Sequence, residues 1–166
     1  MPGTFEATDD LTIILIESDE TYRGLMRKSL ERVPSARRGL IVREYSEAHE
    51  ALTDLPPDGQ AVIVCGEKSN NASGFDRLPE FIRADVGPVI LVTSHWDERS
   101  AAEALRVGAA DSIDKPTAIE NPAALGKSIS GALRRYHLER SSRDLTKRLM
   151  LANKELEQKN TTIAEM

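Results

Sequence analysis

Five short apolar segments recur along the first two thirds of the chain, and each is followed by a stretch of helical spacing. The segments are Leu11–Ile16, Leu40–Tyr45, Ala61–Cys65, Pro88–Thr93 and Ala110–Ile113. Short runs rich in β-branched residues are typical of strands that are buried on both faces of a sheet. Their alternation with helical stretches predicts an α/β fold, namely a doubly wound parallel sheet of five strands with five helices covering its two faces.

The helical stretches carry the usual signals for the start of a helix. Asp19 or Thr21 can cap the first helix, and Ser46 stands at the start of the second. An alanine-rich helix is predicted over Asp97–Val107. The last helix is predicted to begin near Pro122, because proline suits the first turn of a helix.

The overall composition narrows the classes of function. The chain has 166 residues and a formal net charge of −5. It therefore has no overall positive charge that would attract nucleic acid or an anionic membrane. A single cysteine excludes an intramolecular disulfide framework. No apolar run reaches the roughly 18 residues of a membrane span, and residues 1–10 lack the features of a signal peptide. We therefore expect a soluble cytoplasmic protein with a disordered N-terminus over residues 1–10.

The C-terminal segment, residues 137–166, differs from the rest of the chain. It contains no Gly and no Pro, and alternating steps of four and three from Leu138 to Ile163 meet an apolar residue at six of eight positions, with Ser142 and Lys159 as the exceptions. The apolar positions of this stripe are Leu138, Leu145, Leu149, Ala152, Leu156 and Ile163. A narrow stripe between charged faces favours a coiled-coil helix that pairs with a second copy, most simply in parallel. An amphipathic helix that folds back on its own domain is the alternative.

Polar residues stand where four of the five apolar runs end. Residues 17–19 (Glu-Ser-Asp) follow the first run, Cys65 closes the third, Thr93 closes the fourth, and Lys115 follows the fifth. The carboxyl ends of parallel strands meet at one edge of the sheet, where ligands of such folds bind. The functional site is therefore expected at this edge.

The order and spacing of these residues resemble the receiver domain of two-component response regulators. Residues 13–26 (IILIESDETYRGLM) look like the family's opening strand, acidic pair and first helix. Residues 108–116 (GAADSIDKP) look like its closing segment, which runs from glycine-alanine to lysine-proline. The resemblance covers residues 11–136. It implies a flavodoxin-like sheet with the strand order 2-1-3-4-5 and a role in two-component signal transduction.

The resemblance also implies roles for the residues at the strand ends. In an active receiver, an aspartate at the end of the third strand accepts phosphate from a histidine kinase, and an acidic pair after the first strand holds magnesium with it. Here Cys65 stands at the acceptor position, and Glu17 and Ser18 stand at the acidic pair. Thr93 and Lys115 match the residues that bind the phosphoryl oxygens in the family.

Other positions in the resemblance depart from the family pattern or stay open. Ser112 stands where an aromatic switch residue is usual. The loop after Cys65 is one residue longer than the usual spacing to the next glycine, so Gly66 is the alternative occupant of the acceptor position. Glu67 is the nearby carboxylate that would substitute for the acceptor, and Asp19 is the further acid that would reach a cation. Cys65 is interpreted as a small buried hydrophobe, with a redox-sensitive thiol as the alternative.

These departures imply a degenerate receiver, a pseudo-receiver that is not switched by aspartyl phosphorylation. Magnesium requires near-octahedral oxygen coordination, and one carboxylate beside a serine and a thiol is a poor anchor for it. We therefore expect no metal and no cofactor. Without phosphate, Lys115 either pairs with Glu17 or serves to shape the turn before Pro116.

Two classes of function follow from the sequence. The first is a signalling module that forms a homodimer through its C-terminal helix and contacts a protein such as a histidine kinase. It would pass a change of dimer geometry to an output domain of the histidine kinase, PP2C phosphatase or diguanylate cyclase type, which lies outside this sequence. A stand-alone dimeric adaptor is a variant of this reading. The second is a small-ligand-binding or enzymatic flavodoxin-like domain, but the required phosphate loop or base–nucleophile pair is missing, so the chain is predicted not to be an enzyme.

Overall fold

The computed structural model describes residues 10–33, 39–56, 61–66, 77–94 and 98–164, so the predicted disordered N-terminus lies outside the described residues except for Asp10. Strands and helices alternate along the chain, and the five strands form one parallel sheet in the order β2-β1-β3-β4-β5, as the resemblance implied. The elements are β1 (Leu11–Ile16), α1 (Glu20–Glu31), β2 (Leu40–Tyr45), α2 (Ala48–Leu52), β3 (Ala61–Gly66), α3 (Leu78–Ala84), β4 (Val89–Thr93), α4 (Glu98–Val107), β5 (Asp111–Asp114), α5 (Lys115–Glu120) and α6 (Pro122–Ala164).

The central strands send alternate side chains to opposite faces of the sheet. Val62 and Val64 belong to an apolar cluster that includes residues of α1, α5 and α6, which we call the α6 face. Ala61 and Ile63 belong to a second cluster with residues of α2, α3 and α4, which we call the α3 face. Because each fully buried aliphatic side chain contributes about 1.5–3 kcal/mol, these two clusters fix the sheet and hold its carboxyl edge in place.

The described ranges contain six helices rather than the five predicted, because α5 lies between β5 and α6. Asp114 begins α5 as its N-cap, where its carboxylate accepts hydrogen bonds from the backbone N–H and the hydroxyl of Thr117. Pro116 occupies the first turn of this helix. The second helix also differs, since α2 begins at Ala48 and not at Ser46. Asp19, and not Thr21, caps α1.

The last helix, α6, is one unbroken element of 43 residues. Its first half packs on the α6 face through Leu125, Ile129, Ala132 and Leu133. Every residue from 141 to 161 is exposed, so this part projects roughly 30 Å from the domain at 1.5 Å per residue. The predicted division at residue 137 therefore falls inside a continuous helix, and the described part of the tail does not fold back on its own domain. None of the helices in the described ranges has the length and apolar character that crossing a membrane requires.

Candidate functional site

Glu17 and Lys115 form a buried ion pair at the carboxyl edge of the sheet. Glu17 directly follows β1, and Lys115, which lies 98 positions further along the chain, directly follows β5. Lys115 Nζ donates to Glu17 Oε1 at 3.5 Å, and the two side chains are only 8% and 1% exposed. The interpretation in which Lys115 pairs with Glu17 is confirmed.

The turn after β1 holds this pair in place. The backbone N–H of Asp19 donates to Glu17 Oε1 at 3.2 Å, and Arg23 Nη1 donates to the Glu17 carbonyl oxygen at 3.0 Å. Lys115 Nζ also lies 4.6 Å from the centre of the Tyr22 ring, a distance at which the ring face attracts the ammonium group. The pair is thus supported from β1, from α1 and from the start of α5.

Burial dominates the electrostatics of Glu17. The loss of hydration raises the pKa of its carboxyl group above the ordinary value, although the Asp19 N–H and the Lys115 ammonium both act in the opposite direction. Glu17 Oε2 is buried and has no hydrogen-bond partner among the residues that the structure describes. One carboxylate oxygen is therefore bound twice while the other lies in an environment that disfavours charge.

Gly66, and not Cys65, lies beside the Glu17–Lys115 pair. A Cβ atom built on Gly66 would lie 1.8 Å from Glu17 Oε2. Gly66 is paired with Val92, which belongs to the α6 face, whereas Cys65 packs against the cluster on the α3 face. The prediction that Cys65 stands at the acceptor position is corrected, because successive side chains of a strand point to opposite faces. The alternative position, Gly66, agrees with the geometry.

Cys65 itself is half-buried on the α3 face. Its Sγ lies 3.7 Å from the carbonyl oxygen of Gly66, a distance compatible with a weak S–H donor. This placement fits the interpretation of Cys65 as a small packing residue.

Thr93, a predicted pocket residue, lies at the end of β4, and Ser112, the predicted switch position, lies within β5. Thr93 ends β4 and pairs with Asp114. Its side chain is buried, and Oγ1 has no hydrogen-bond partner within the described part of the chain. Ser112 pairs with Leu91 and is half-buried, on the same face of the sheet as Leu91. Ser18 is exposed in the turn after β1. Glu67, the substitute acceptor, lies outside the described residues.

Comparison with known proteins agrees with the fold. The family "response regulator receiver domain" matches residues 13–125. The chain belongs to this family. Among curated relatives, it is 30% identical over 110 residues to the C4-dicarboxylate transport transcriptional regulatory protein DctD of Rhizobium meliloti (strain 1021). The aligned segment covers 66% of this chain and 23% of that protein. It is also 30% identical over 115 residues to nodulation protein W of Bradyrhizobium diazoefficiens, covering 69% of this chain and 48% of that protein.

Solved structures show the same fold. The signal receiver domain of a LuxO repressor protein from Vibrio parahaemolyticus has a TM-score of 0.63 at 21% identity, covering 81% of this chain and 98% of that one. The chain spans about a quarter to a half of the length of the two curated relatives described above. The shared part is thus the receiver domain.

The residues of this receiver domain do not fit the magnesium ion that the family implies. Glu17 Oε1 is already bound by a lysine ammonium and a backbone N–H. The carboxylate of Asp19 is turned to α1, where it accepts from the backbone N–H groups of Thr21 and Tyr22. Within the described ranges, no group of three or more His, Cys, Asp or Glu residues is arranged to hold a metal. A positive charge beside a single carboxylate is unfavourable for a divalent cation.

A second feature of the receiver domain was missed at the sequence level, the junction at which α6 leaves the domain. Tyr136 is the last buried apolar residue of α6 within the described chain, and its hydroxyl donates to the carbonyl oxygen of Asp85 at 2.7 Å. Arg140 Nη1 donates to the same hydroxyl at 3.0 Å. Arg135 donates to the carbonyl oxygen of Ala110 at 3.0 Å. The helix is therefore attached to the two turns that precede β4 and β5.

This junction surrounds a cavity of about 370 Å³ between α3, α4 and α6, which opens beside the turns before β4 and β5. Asp85 caps α3 in the left-handed conformation, with φ of 50°. The turn that follows Asp85 has a signal in the sequence, because the glycine-proline pair at residues 87–88 is typical of a turn. Tyr136, which contacts this turn, is 51 positions away from Asp85, and no local pattern indicates that contact.

The predicted dimer stripe lies on the projecting part of α6. Leu138, Leu145, Leu149 and Leu156 are 64%, 60%, 63% and 59% exposed. Ala152 is exposed as well, and the side chain of Ile163 lies outside the described residues. Large apolar side chains at these positions remain in water unless another surface covers them.

Proposed function

We propose that this receiver domain signals without phosphorylation at the end of β3. The observation that carries the proposal is the position of Gly66, which faces the Glu17–Lys115 pair and has no side chain to accept a phosphoryl group. Cys65, the neighbouring residue, packs on the opposite face. A pseudo-receiver of this kind holds one state by its own ion pair and responds to protein contact.

Lys115 supports the same proposal. Its ammonium group, which the family resemblance assigns to phosphoryl oxygens, already has Glu17 as an anionic partner and Tyr22 as a ring partner. A new anion would have to displace a buried carboxylate, and that exchange costs the desolvation of an unpaired charge. We therefore propose that the domain binds neither phosphate nor magnesium at this edge.

We further propose that the output of the domain is the projecting half of α6. Isolated helices are marginal in water, and most helical stability comes from packing of an apolar face. The exposed leucines of the stripe supply such a face, so a second copy of the chain is the partner that covers them in a parallel coiled coil. The junction at Tyr136 and Arg135 makes the helix rigidly continuous with the domain, so a partner that moves the domain also turns the helix.

In the parent protein, this helix would lead to an output domain of the histidine kinase, PP2C phosphatase or diguanylate cyclase type. The role of this chain is then binding and relay rather than catalysis, and its contact partner is a protein such as a histidine kinase. The helical stripe and the attached junction support this proposal over a small-ligand-binding or enzymatic domain.

A spectroscopic titration tests the proposal. Amide resonances of the isotopically labelled chain are recorded before and after addition of magnesium and beryllofluoride, a mimic of the phosphoryl group. We expect no shift at residues 15–19, 64–66 or 113–117, because no carboxylate at position 66 can bind the mimic. Saturable shifts in these three segments would contradict the proposal.

A further inference from the structure

The space above Gly66 is filled by another residue. A Cβ atom at this position would lie 1.8 Å from Glu17 Oε2 and 2.9 Å from Glu17 Cδ. The next atom, the carbonyl oxygen of Ile16, would be 3.3 Å away. The first two distances are far inside van der Waals contact, so the observed position of the Glu17 side chain and a side chain at position 66 exclude each other.

Glu17 is not free to move aside. Its side chain is 1% exposed, and Oε1 is held by the Asp19 N–H at 3.2 Å and by Lys115 Nζ at 3.5 Å. The register of β1 and β3 pairs Ile16 with Cys65, so Glu17 stands beside Gly66 at the end of the two strands. Rotation of the carboxylate away from Gly66 would leave Lys115 as a buried charge with its anionic partner removed.

We infer that Glu17 and Gly66 are a size-matched pair in which the glutamate, reaching from β1, occupies the space of the side chain that the family carries on β3. The inference rests on the proposed function, since it explains how a domain with no acceptor keeps Lys115 paired. Glutamate is one methylene longer than aspartate, which lets its carboxylate extend over the neighbouring strand. The space above Gly66 is then filled by the Glu17 side chain and not left empty by the missing acceptor.

The inference predicts coupling between the two positions. Gly66→Ala in the wild-type chain pushes a methyl group into the Glu17 carboxylate, so we expect a clear loss in the urea midpoint of unfolding. In a Glu17→Asp background, the shorter side chain leaves room for the methyl group, and the loss on Gly66→Ala should fall to half or less. Equal losses in the two backgrounds would overturn the inference, because they would show that the two positions act independently.

A gain of function provides a second test. The variant combines Gly66→Asp, Glu17→Asp and Ser18→Asp, which removes the obstructing methylene and supplies acids at the ends of β1 and β3, near Lys115. It is incubated with acetyl phosphate and magnesium. The carboxylate oxygen introduced at position 66 attacks the phosphorus atom, acetate leaves with the electron pair of the broken bond, and an acyl phosphate forms.

The matched control carries Cys65→Asp in place of Gly66→Asp, with the same changes at positions 17 and 18. Both chains are first checked for folding by their far-ultraviolet spectra and unfolding transitions. We expect intact-mass spectra to show one added phosphoryl group on the Gly66→Asp chain and none on the control. A folded Gly66→Asp chain with no adduct, or an equal adduct on the control, would overturn the inference. An adduct on the wild-type chain would instead contradict the proposed function.

Discussion

The hydroxyl of Tyr136 donates a hydrogen bond to the carbonyl oxygen of Asp85 at 2.7 Å, joining the last buried turn of α6 to the C-terminal end of α3. The two residues are 51 positions apart in sequence. Burial and the negative side chain of Asp85 both raise the pKa of the Tyr136 hydroxyl, so it remains a donor throughout the neutral range. The contact fixes the direction in which the projecting part of α6 leaves the domain.

Removal of this hydroxyl should loosen the junction. Tyr136→Phe keeps the ring but leaves the Asp85 carbonyl oxygen and the Arg140 guanidinium without their shared partner. We expect a loss of about 1–2 kcal/mol in the free energy of unfolding, measured by urea denaturation. Tyr45→Phe is the matched control, because the Tyr45 hydroxyl contacts the exposed Asp54 carboxylate. Its removal should lower the free energy of unfolding by less than the removal of the Tyr136 hydroxyl. Equal effects of the two changes would contradict the assigned role of Tyr136.

The Glu17–Lys115 pair should behave as a coupled unit. Glu17→Gln leaves a buried ammonium group without an anion, and Lys115→Met leaves a buried carboxylate without a cation. Lys115→Met should cost about 3–5 kcal/mol, and Glu17→Gln should cost less, because the neutral amide avoids the burial of charge that raises the pKa of Glu17. The double change should cost much less than the sum of the two single changes. A double-mutant cycle from urea denaturation measures this coupling. Additive losses would show that the two side chains contribute independently.

The raised pKa of Glu17 predicts a pH dependence of stability. A carboxyl group whose pKa is higher in the folded state binds its proton more tightly there than in the unfolded chain. The stability contributed by this protonation is fully present below the pKa that Glu17 has in the unfolded chain. It is lost as the pH rises through the higher pKa that Glu17 has in the folded chain. The wild-type chain should therefore gain stability relative to Glu17→Gln when pH falls from neutral toward the ordinary glutamate value of about 4.3.

Urea denaturation of the two chains at a series of pH values measures this difference, and other carboxylates cancel because both chains contain them. A relative loss of wild-type stability on acidification would contradict the assignment. It would show that attraction to Lys115 outweighs burial at Glu17.

Pairing of the projecting helix can be tested with two charged substitutions on the same surface. Leu149→Lys places a charge in the stripe, whereas Leu151→Lys places one at an equally exposed leucine outside it. We expect sedimentation equilibrium to show a dimer for the wild type and for Leu151→Lys. For Leu149→Lys, the dissociation constant should rise at least tenfold, which corresponds to about 1.4 kcal/mol. Equal weakening by both changes would exclude the predicted stripe.

Local patterns in the sequence were sufficient for most of the fold. The bounds of Leu40–Tyr45 and Leu11–Ile16 were predicted as observed, because a short apolar run between turn signals has few alternative structures. Helix α5 was not predicted. It is too short to show an apolar stripe, and its capping residue, Asp114, also ends β5.

The candidate site was predicted in part. The Glu17–Lys115 pair followed from the meeting of parallel strand ends, but the choice between Cys65 and Gly66 did not. A strand buried on both faces has no alternation of polar and apolar residues, so its sequence does not indicate which residues share a face. A shift of one residue reverses that assignment. The junction at Tyr136 depends on contacts between distant segments, which local patterns do not encode.

We propose above that the end of β3 in this receiver domain carries no phosphoryl acceptor. The most direct measurement is incubation of the unaltered chain with radiolabelled acetyl phosphate and magnesium, followed by a test of any bound label for release by hydroxylamine. A known active receiver treated in parallel provides the positive control. We expect no bound label on this chain, and therefore none that hydroxylamine releases. A stoichiometric label that hydroxylamine removes would contradict it.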